Sequence, residues 1–218
     1  MKLAIMQPYF FPSIYYWQLI YHVDKFLILD DVNFIKNKFI HRNFVPHTGS
    51  LIQITIKCKN KSSFKKINEI EILKKQEFFN QLNFLYKRFK NFDEIMNILN
   101  DSFANEKNLS KFLSKLIISI SKYLDFKTEI INSSELGLFQ DLKGENRIIK
   151  FCEYFNAIEY SNLIGGIKIY DKNNFKRKNI ELKFINKSSY SEKISILDHL
   201  MKRKKSDLIQ DIKKIELI

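Results

Sequence analysis

Two neighbouring carboxylates, Asp30-Asp31, end an apolar run, and Lys36, His41, Arg42 and Asn43 follow in the same short stretch. Paired aspartates could hold a cation, orient sugar hydroxyls or serve as a general base. The bland alternative is that one caps the next turn while the other is solvated. Arg42 is one of only five arginines among 37 basic residues, and its planar fork suits a phosphate or carboxylate. The His41 imidazole could accept a proton at neutral pH, although a lone histidine among aromatics is often a packing residue. Gln7 directly follows Leu3-Ala4-Ile5-Met6, with Pro8 and Tyr9 after it. It is either a satisfied strand-end residue or a ligand contact.

The elements around these residues bring them together. Leu3 to Met6 and Phe26 to Leu29 read as buried strands. Between them Pro12-Ser13 opens a helix with Ile14, Trp17, Leu19, Ile20 and Val23 on its apolar side. Strand, helix, strand in so short a span predicts a βαβ unit with parallel strands, so Gln7-Pro8-Tyr9 and Asp30-Asp31 finish on one edge. Ligands of parallel sheets gather beyond that edge. Leu51 to Lys57 alternates as a half-exposed strand. Apolar positions 78, 82, 85, 89, 92, 96 and 99 predict one helix from Phe78 to Leu99, and Leu109 to Leu124 predicts a second packed antiparallel to it. A strand (Glu129 to Asn132), helix (Glu145 to Phe155) and strand (Ile158 to Asn162) read as a second βαβ unit. Gly165-Gly166 turns the chain, Ile180 to Ile185 is a last strand, and Ser195 caps a helix beginning Ile196-Leu197-Asp198. The expectation is one α/β domain over residues 1–218, a mostly parallel sheet flanked by helices, with a central helical insert at about 74–125.

Composition narrows the function classes. A chain of 218 residues, 45% hydrophobic and 14% aromatic, can bury a core and is not disordered. Its formal charge of +13 invites a nucleic-acid reading. The scarcity of arginine argues against it, and Lys202-Arg203-Lys204-Lys205 reads as a solvated helix end. An anionic small substrate remains compatible with that charge. Cys58 and Cys152 have no metal or redox spacing and read as inert buried thiols of a reducing compartment. Pro8, Pro12, Gln7, Gln18 and His22 interrupt the uncharged stretch 3–23, so no membrane span is expected, and the protein reads as cytoplasmic. Gly165-Gly166 lacks a phosphate-loop spacing, Ser133-Ser134 lacks a nucleophile elbow, and no metal site is evident.

Met6-Gln7-Pro8-Tyr9-Phe10-Phe11-Pro12 with its aromatic helix, then Phe26 to Lys36, then Arg42-Asn43, closely resemble the WbqC-like family, which is associated with bacterial surface-polysaccharide gene clusters. The resemblance continues at Ser133-Ser134, Lys143-Gly144 with Arg147, Tyr160 with Asn162, Gly165-Gly166 with Tyr170 and Phe175, and Ser195 to Asp198. Tyr15 and His41 depart from the family pattern, and the segment between Tyr190 and Ser195 looks shortened. The resemblance implies an enzyme of surface-polysaccharide (O-antigen or capsule) biosynthesis acting on a nucleotide-linked amino sugar, with N-acyl or aminoacyl transfer to the sugar amine. Asp30, Asp31 or His41 would then deprotonate the amine. Arg42 and Lys36 would hold the diphosphate, and Gln7 and Asn43 would orient the sugar or the acyl carbonyl. Tyr9, Arg147, Asn162, Gly165, Gly166 and Asp198 join the substrate-binding set by the same resemblance. The cofactor is open, beyond an acyl or aminoacyl donor. Nucleic acid is an expected partner only if a charged tRNA is that donor. A metal-dependent glycosyltransferase and a non-catalytic RNA- or partner-binding protein are the alternatives.

Overall fold

Strand–helix–strand is what the opening hydrophobic pattern builds. A computed structural model describes residues 1–186 and 194–218. In it Lys2–Met6 is β1, Ile14–His22 is α1 and Lys25–Ile28 is β2. β1 and β2 pair in parallel with Met6 opposite Ile28, so Gln7 and Asp30 emerge at the same edge. Alternation sends Leu3, Ile5 and Leu27 to one core and Ala4, Phe26 and Ile28 to the other, the period of two that a sheet buried on both faces exploits. Each of the leucine, isoleucine and phenylalanine side chains among them contributes roughly 1.5–3 kcal/mol if its apolar surface leaves water completely. α1 is buried along nearly its whole length, Ile14 to Ile20. Trp17 Nε1 donates to the Pro12 carbonyl at 3.2 Å, tying the helix to its own entry turn.

Two small antiparallel pairs follow: β3 (Arg42–His47) with β4 (Ser50–Thr55), and β5 (Lys57–Lys59) with β6 (Glu71–Lys74). The strand expected at Leu51–Lys57 is thus one arm of a hairpin, and Arg42 and Asn43 belong to its other arm. The helical section comprises α2 (Gln76–Tyr86), α3 (Phe92–Phe103) and α4 (Leu109–Tyr123). The single helix expected over Phe78–Leu99 is therefore two. Asn91 lies in the break and donates to the carbonyls of Leu200 (2.8 Å) and Arg203 (2.6 Å), which fastens the turn to the C-terminal helices. The break keeps the apolar phase, so Leu82, Leu85, Ile95 and Leu99 are all buried and periodicity alone hides it.

The remaining elements are β7 (Glu129–Asn132), α5 (Ser133–Leu136), α6 (Gly144–Tyr154), β8 (Glu159–Leu163), a 3-10 turn at Ile164–Lys168, α7 (Lys172–Lys176), β9 (Glu181–Ile185), α8 (Ile196–Lys202) and α9 (Lys205–Lys213). The main sheet has the order β7-β2-β1-β8-β9 and is parallel throughout. With nine α-helices among the described residues flanking it, the architecture is α/β. β7 and β8, expected to form a second βαβ unit, do not pair, because β2 and β1 lie between them. Ser195 caps α8 as expected, its Oγ accepting from the Leu197 N–H at 3.2 Å. The shortened stretch after Tyr190 falls mostly outside the described residues. Among those that are described, no helix is long and apolar enough to cross a membrane.

Candidate functional site

Strand order reverses at β1: the chain adds β2 and β7 on one side, then β8 and β9 on the other. Loops leaving β1 and β8 therefore part in opposite directions and leave a crevice beyond their carboxyl ends, the place where open parallel sheets bind ligands. A cavity of about 540 Å³ lies there, within the range of small-molecule sites. Its floor is the strand ends themselves, Met6, Gln7, Leu29, Asn162 and Leu163. Tyr9, Tyr15, Tyr16 and Phe39 form an aromatic wall, and Gly165, Gly166, Ile169 and Tyr170 form the opposite side.

Hydrogen bonds hold this shape. The Tyr16 hydroxyl donates to the Gln7 carbonyl at 3.0 Å, pinning the first residue after β1 to α1. Tyr9 packs between Tyr16 and Phe39, with ring centroids 5.8 and 6.3 Å away. Asn43 lines the cavity, yet its polar atoms are engaged by backbone. Its Nδ2 donates to the carbonyls of Phe10 (3.0 Å) and Phe11 (2.7 Å), and its Oδ1 accepts from the Phe44 N–H at 2.8 Å. It fastens the turn where Phe11 takes a φ of 46°. Asn162 donates to the Tyr160 hydroxyl at 2.9 Å and accepts from the Leu163 N–H at 2.7 Å. Tyr160 in turn reaches the Tyr170 hydroxyl at 3.5 Å.

Burial raises the pKa of both Tyr9 and Tyr170, and for Tyr9 the nearby Tyr170 adds to it, so both remain neutral phenols at physiological pH. Gly166 is confined: a Cβ there would meet Phe184 at 3.1 Å and the Tyr170 ring at 3.2 Å, whereas at Gly165 it would meet nothing within 4 Å. The Gln7 amide, the Tyr9 hydroxyl and the Lys38 ammonium border the cavity without a hydrogen-bonding or ionic partner among the described residues. They are the groups left for a ligand.

The two aspartates sit beside this cavity, in a sealed polar network outside its lining. Asp30 accepts from the hydroxyls of Ser110 (2.8 Å) and Ser134 (2.7 Å) and from the Ser134 N–H (3.0 Å), and its own N–H donates to Ser133 Oγ at 3.2 Å. Asp31 accepts from Ser133 Oγ at 2.6 Å and forms an ion pair with Arg147 at 2.6 Å. Burial pushes the Asp31 carboxyl up, but hydrogen bonds from Arg147 and Ser133 and the Arg147 charge outweigh it, so its pKa is lowered and it stays ionised. The network joins the end of β2 to α4, α5 and α6.

His41 is buried; burial, then the Lys61 and Arg42 charges, lower its pKa to about 4. Its Nδ1 has no partner, while Nε2 lies 3.4 Å from Lys61 Nζ. The ring is therefore neutral at physiological pH and a weak base. Arg42 contacts Asn37 at 3.4 Å outside the lining, and Lys36 is exposed beside it. Asp198 accepts from the Tyr86 hydroxyl at 2.9 Å and pairs with Lys202 at 2.7 Å, also away from the cavity. Among the described residues no three His, Cys, Asp or Glu side chains are grouped to hold a metal ion.

Comparison with known proteins bears on the same residues. A model of the WbqC-like protein family matches residues 7–209, starting at the glutamine that floors the cavity. The chain belongs to the WbqC-like protein family. It is also 29% identical over 197 residues to an uncharacterized protein of Mycobacterium tuberculosis (strain ATCC 25618 / H37Rv), covering 88% of this chain and 84% of that one. No solved structure matches it.

Of the residues singled out in this WbqC-like sequence, Gln7, Tyr9, Asn43, Asn162, Gly165 and Gly166 meet around the cavity. Asp30, Asp31 and Arg147 meet one another beside it, and His41, Arg42, Lys36 and Asp198 lie elsewhere. Sequence reasoning noted Tyr15 only as a departure from the family pattern, and it passed over Tyr16, Phe39 and Lys38. The aromatic cluster opening α1 was a usable signal for both tyrosines. Nothing in one sequence distinguishes Lys38 from Lys36.

Proposed function

We propose that the protein is an enzyme that binds a nucleotide-linked amino sugar in the cavity beyond β1 and β8 and transfers an acyl or aminoacyl group to the sugar amine. The observation carrying this reading is the cavity itself: a small-molecule-sized space at the switch point, apolar-walled, bordered by the Gln7 amide, Tyr9 hydroxyl and Lys38 ammonium, which have no hydrogen-bonding or ionic partner among the described residues. The substrate class and the reaction come from the family's association with surface polysaccharides.

In this reading the free amine attacks the carbonyl carbon of an activated acyl ester. A C–N bond forms, the donor's C–O or C–S bond breaks, and the amine proton leaves to the departing group or to water. Gln7 Nε2 donates to the acyl oxygen as charge develops there. Lys38, with Lys36 and Arg42 on the neighbouring segment, faces the diphosphate. Asp30 and Asp31 act through position: with Arg147 they hold the β2 end against α5 and α6, and orientation supplies the rate. The two buried free cysteines suit a reducing, cytoplasmic setting.

The test is to incubate the protein with nucleotide-linked amino sugars and activated acyl donors and to follow the sugar nucleotide by mass spectrometry. An acyl mass increment, lost in Gln7→Ala with unchanged melting temperature, is expected. If no nucleotide sugar raises the melting temperature or gains mass, the reading fails.

A further inference from the structure

Exposed apolar side chains lie at the mouth of the cavity and on the segments next to it. Ile35 and Ile169 both line it, yet are 42% and 65% exposed. Ile167, in the same 3-10 turn as Gly166, is 44% exposed. Phe64 is 94% exposed on the β5–β6 loop, and that loop is joined to the segment bearing Ile35 through the Phe34 N–H, which donates to the Lys65 carbonyl at 2.8 Å, and an Asn33–Lys66 bridge. Leaving four such groups in water is unfavourable unless something covers them.

Lysines are interleaved with them. Lys36 and Lys38 follow Ile35, Lys65 adjoins Phe64, and Lys168 stands between Ile167 and Ile169. None of these four has a carboxylate partner among the described residues, in a chain of net charge +13. The surface that covers them is thus anionic and has an apolar interior. Three of the four apolar groups are isoleucine, which cannot stack on a nucleobase as an aromatic platform does. A lipid bilayer meets both demands: aliphatic and aromatic tips enter the boundary between headgroups and acyl chains, and lysines meet lipid phosphates.

We propose that this face docks the protein on an anionic membrane surface. The inference goes beyond the reading of the cavity and does not require a nucleotide sugar to bind. It is tested by co-sedimentation of the full chain with vesicles of phosphatidylcholine alone or with about one-third phosphatidylglycerol at low and physiological salt. Binding is expected with the anionic vesicles only, weakening as salt rises. Lys65→Gln and Lys168→Gln should each weaken it about fivefold, the equivalent of one lysine charge at the surface. Phe64→Ser together with Ile167→Ser should weaken it roughly tenfold or more, and Phe64→Ser alone should weaken it with an unchanged melting temperature, because that side chain is 94% exposed.

Failure to sediment with either vesicle overturns the proposal. So does binding that needs the lysines but ignores loss of Phe64 and Ile167, which is simple electrostatic adsorption. Tighter binding to single-stranded RNA than to anionic vesicles, weakened by the same substitutions, would assign the face to nucleic acid instead.

Discussion

Arg147→Met should destabilise the fold by about 3–5 kcal/mol, because it strands a buried carboxylate. Asp31 Oδ2 lies 2.6 Å from Arg147 Nη2, and the two side chains are only 2% and 5% exposed. With charge centres roughly 4 Å apart and an effective dielectric constant of about 20, their attraction is about 4 kcal/mol. The Ser133 hydroxyl at 2.6 Å is then the carboxylate's remaining side-chain donor and cannot replace that charge. Asp31→Asn should cost less, about 1.5–3 kcal/mol, since Arg147 keeps the Leu138 carbonyl at 3.3 Å and the Phe151 ring at 5.3 Å. The double variant should lose less than the two single losses added together, by about 2–3 kcal/mol. Urea unfolding gives these values, and thermal melts should show Arg147→Met lower by about 6–20 °C. Asp31 has a pKa below the usual carboxylate value, so its contribution is complete above about pH 3.9 and is lost as pH falls through the lowered value. Acid unfolding below that pH should accordingly be shallower in Asp31→Asn. A loss below about 1 kcal/mol in Arg147→Met, or strict additivity in the double variant, would refute the network as the brace of this edge.

The cavity's other side offers a paired test. Gly166→Ala should destabilise by about 1–3 kcal/mol, because its Cβ would press on Phe184 and Tyr170, while Gly165→Ala should leave unfolding unchanged. His41 gives a pH signature of its own. Its folded pKa of about 4 lies below the unfolded value of about 6.5, so the unfolded chain binds the extra proton between them and stability falls as pH drops through that window. The slope should reach up to about 1.4 kcal/mol per pH unit and disappear in His41→Gln, as measured by denaturant unfolding across that range.

Legibility in the sequence followed the range over which each cause acts. β1, α1 and β2 were readable because apolar runs and a helix entry at Pro12-Ser13 are local signals, and two parallel strands in sequence force Gln7 and Asp30 to one edge. The α2–α3 break was not, since its cause is Asn91 bonding to carbonyls more than a hundred residues away. The aspartates show the same limit. Their environment is set by Ser110, Ser133, Ser134 and Arg147, distant in sequence, and these partners turn two candidate bases into a braced, buried pair. Asn43 was singled out as a ligand contact, and the structure shows its amide spent on the Phe10 and Phe11 carbonyls. The order β7-β2-β1-β8-β9, which creates the crevice, depends on where β8 inserts, and no local pattern specifies that.

The claim that the β1–β8 crevice is the ligand site is tested most directly by filling it. Gly165 lines the cavity and a Cβ there would meet nothing within 4 Å, so Gly165→Leu should add bulk at the cavity's edge without disturbing the fold. Isothermal titration of wild type and Gly165→Leu with the same nucleotide-linked amino sugar should show binding to the first and at least a roughly tenfold loss in the second, at equal melting temperatures. Undiminished affinity in Gly165→Leu would place the ligand elsewhere and contradict the account.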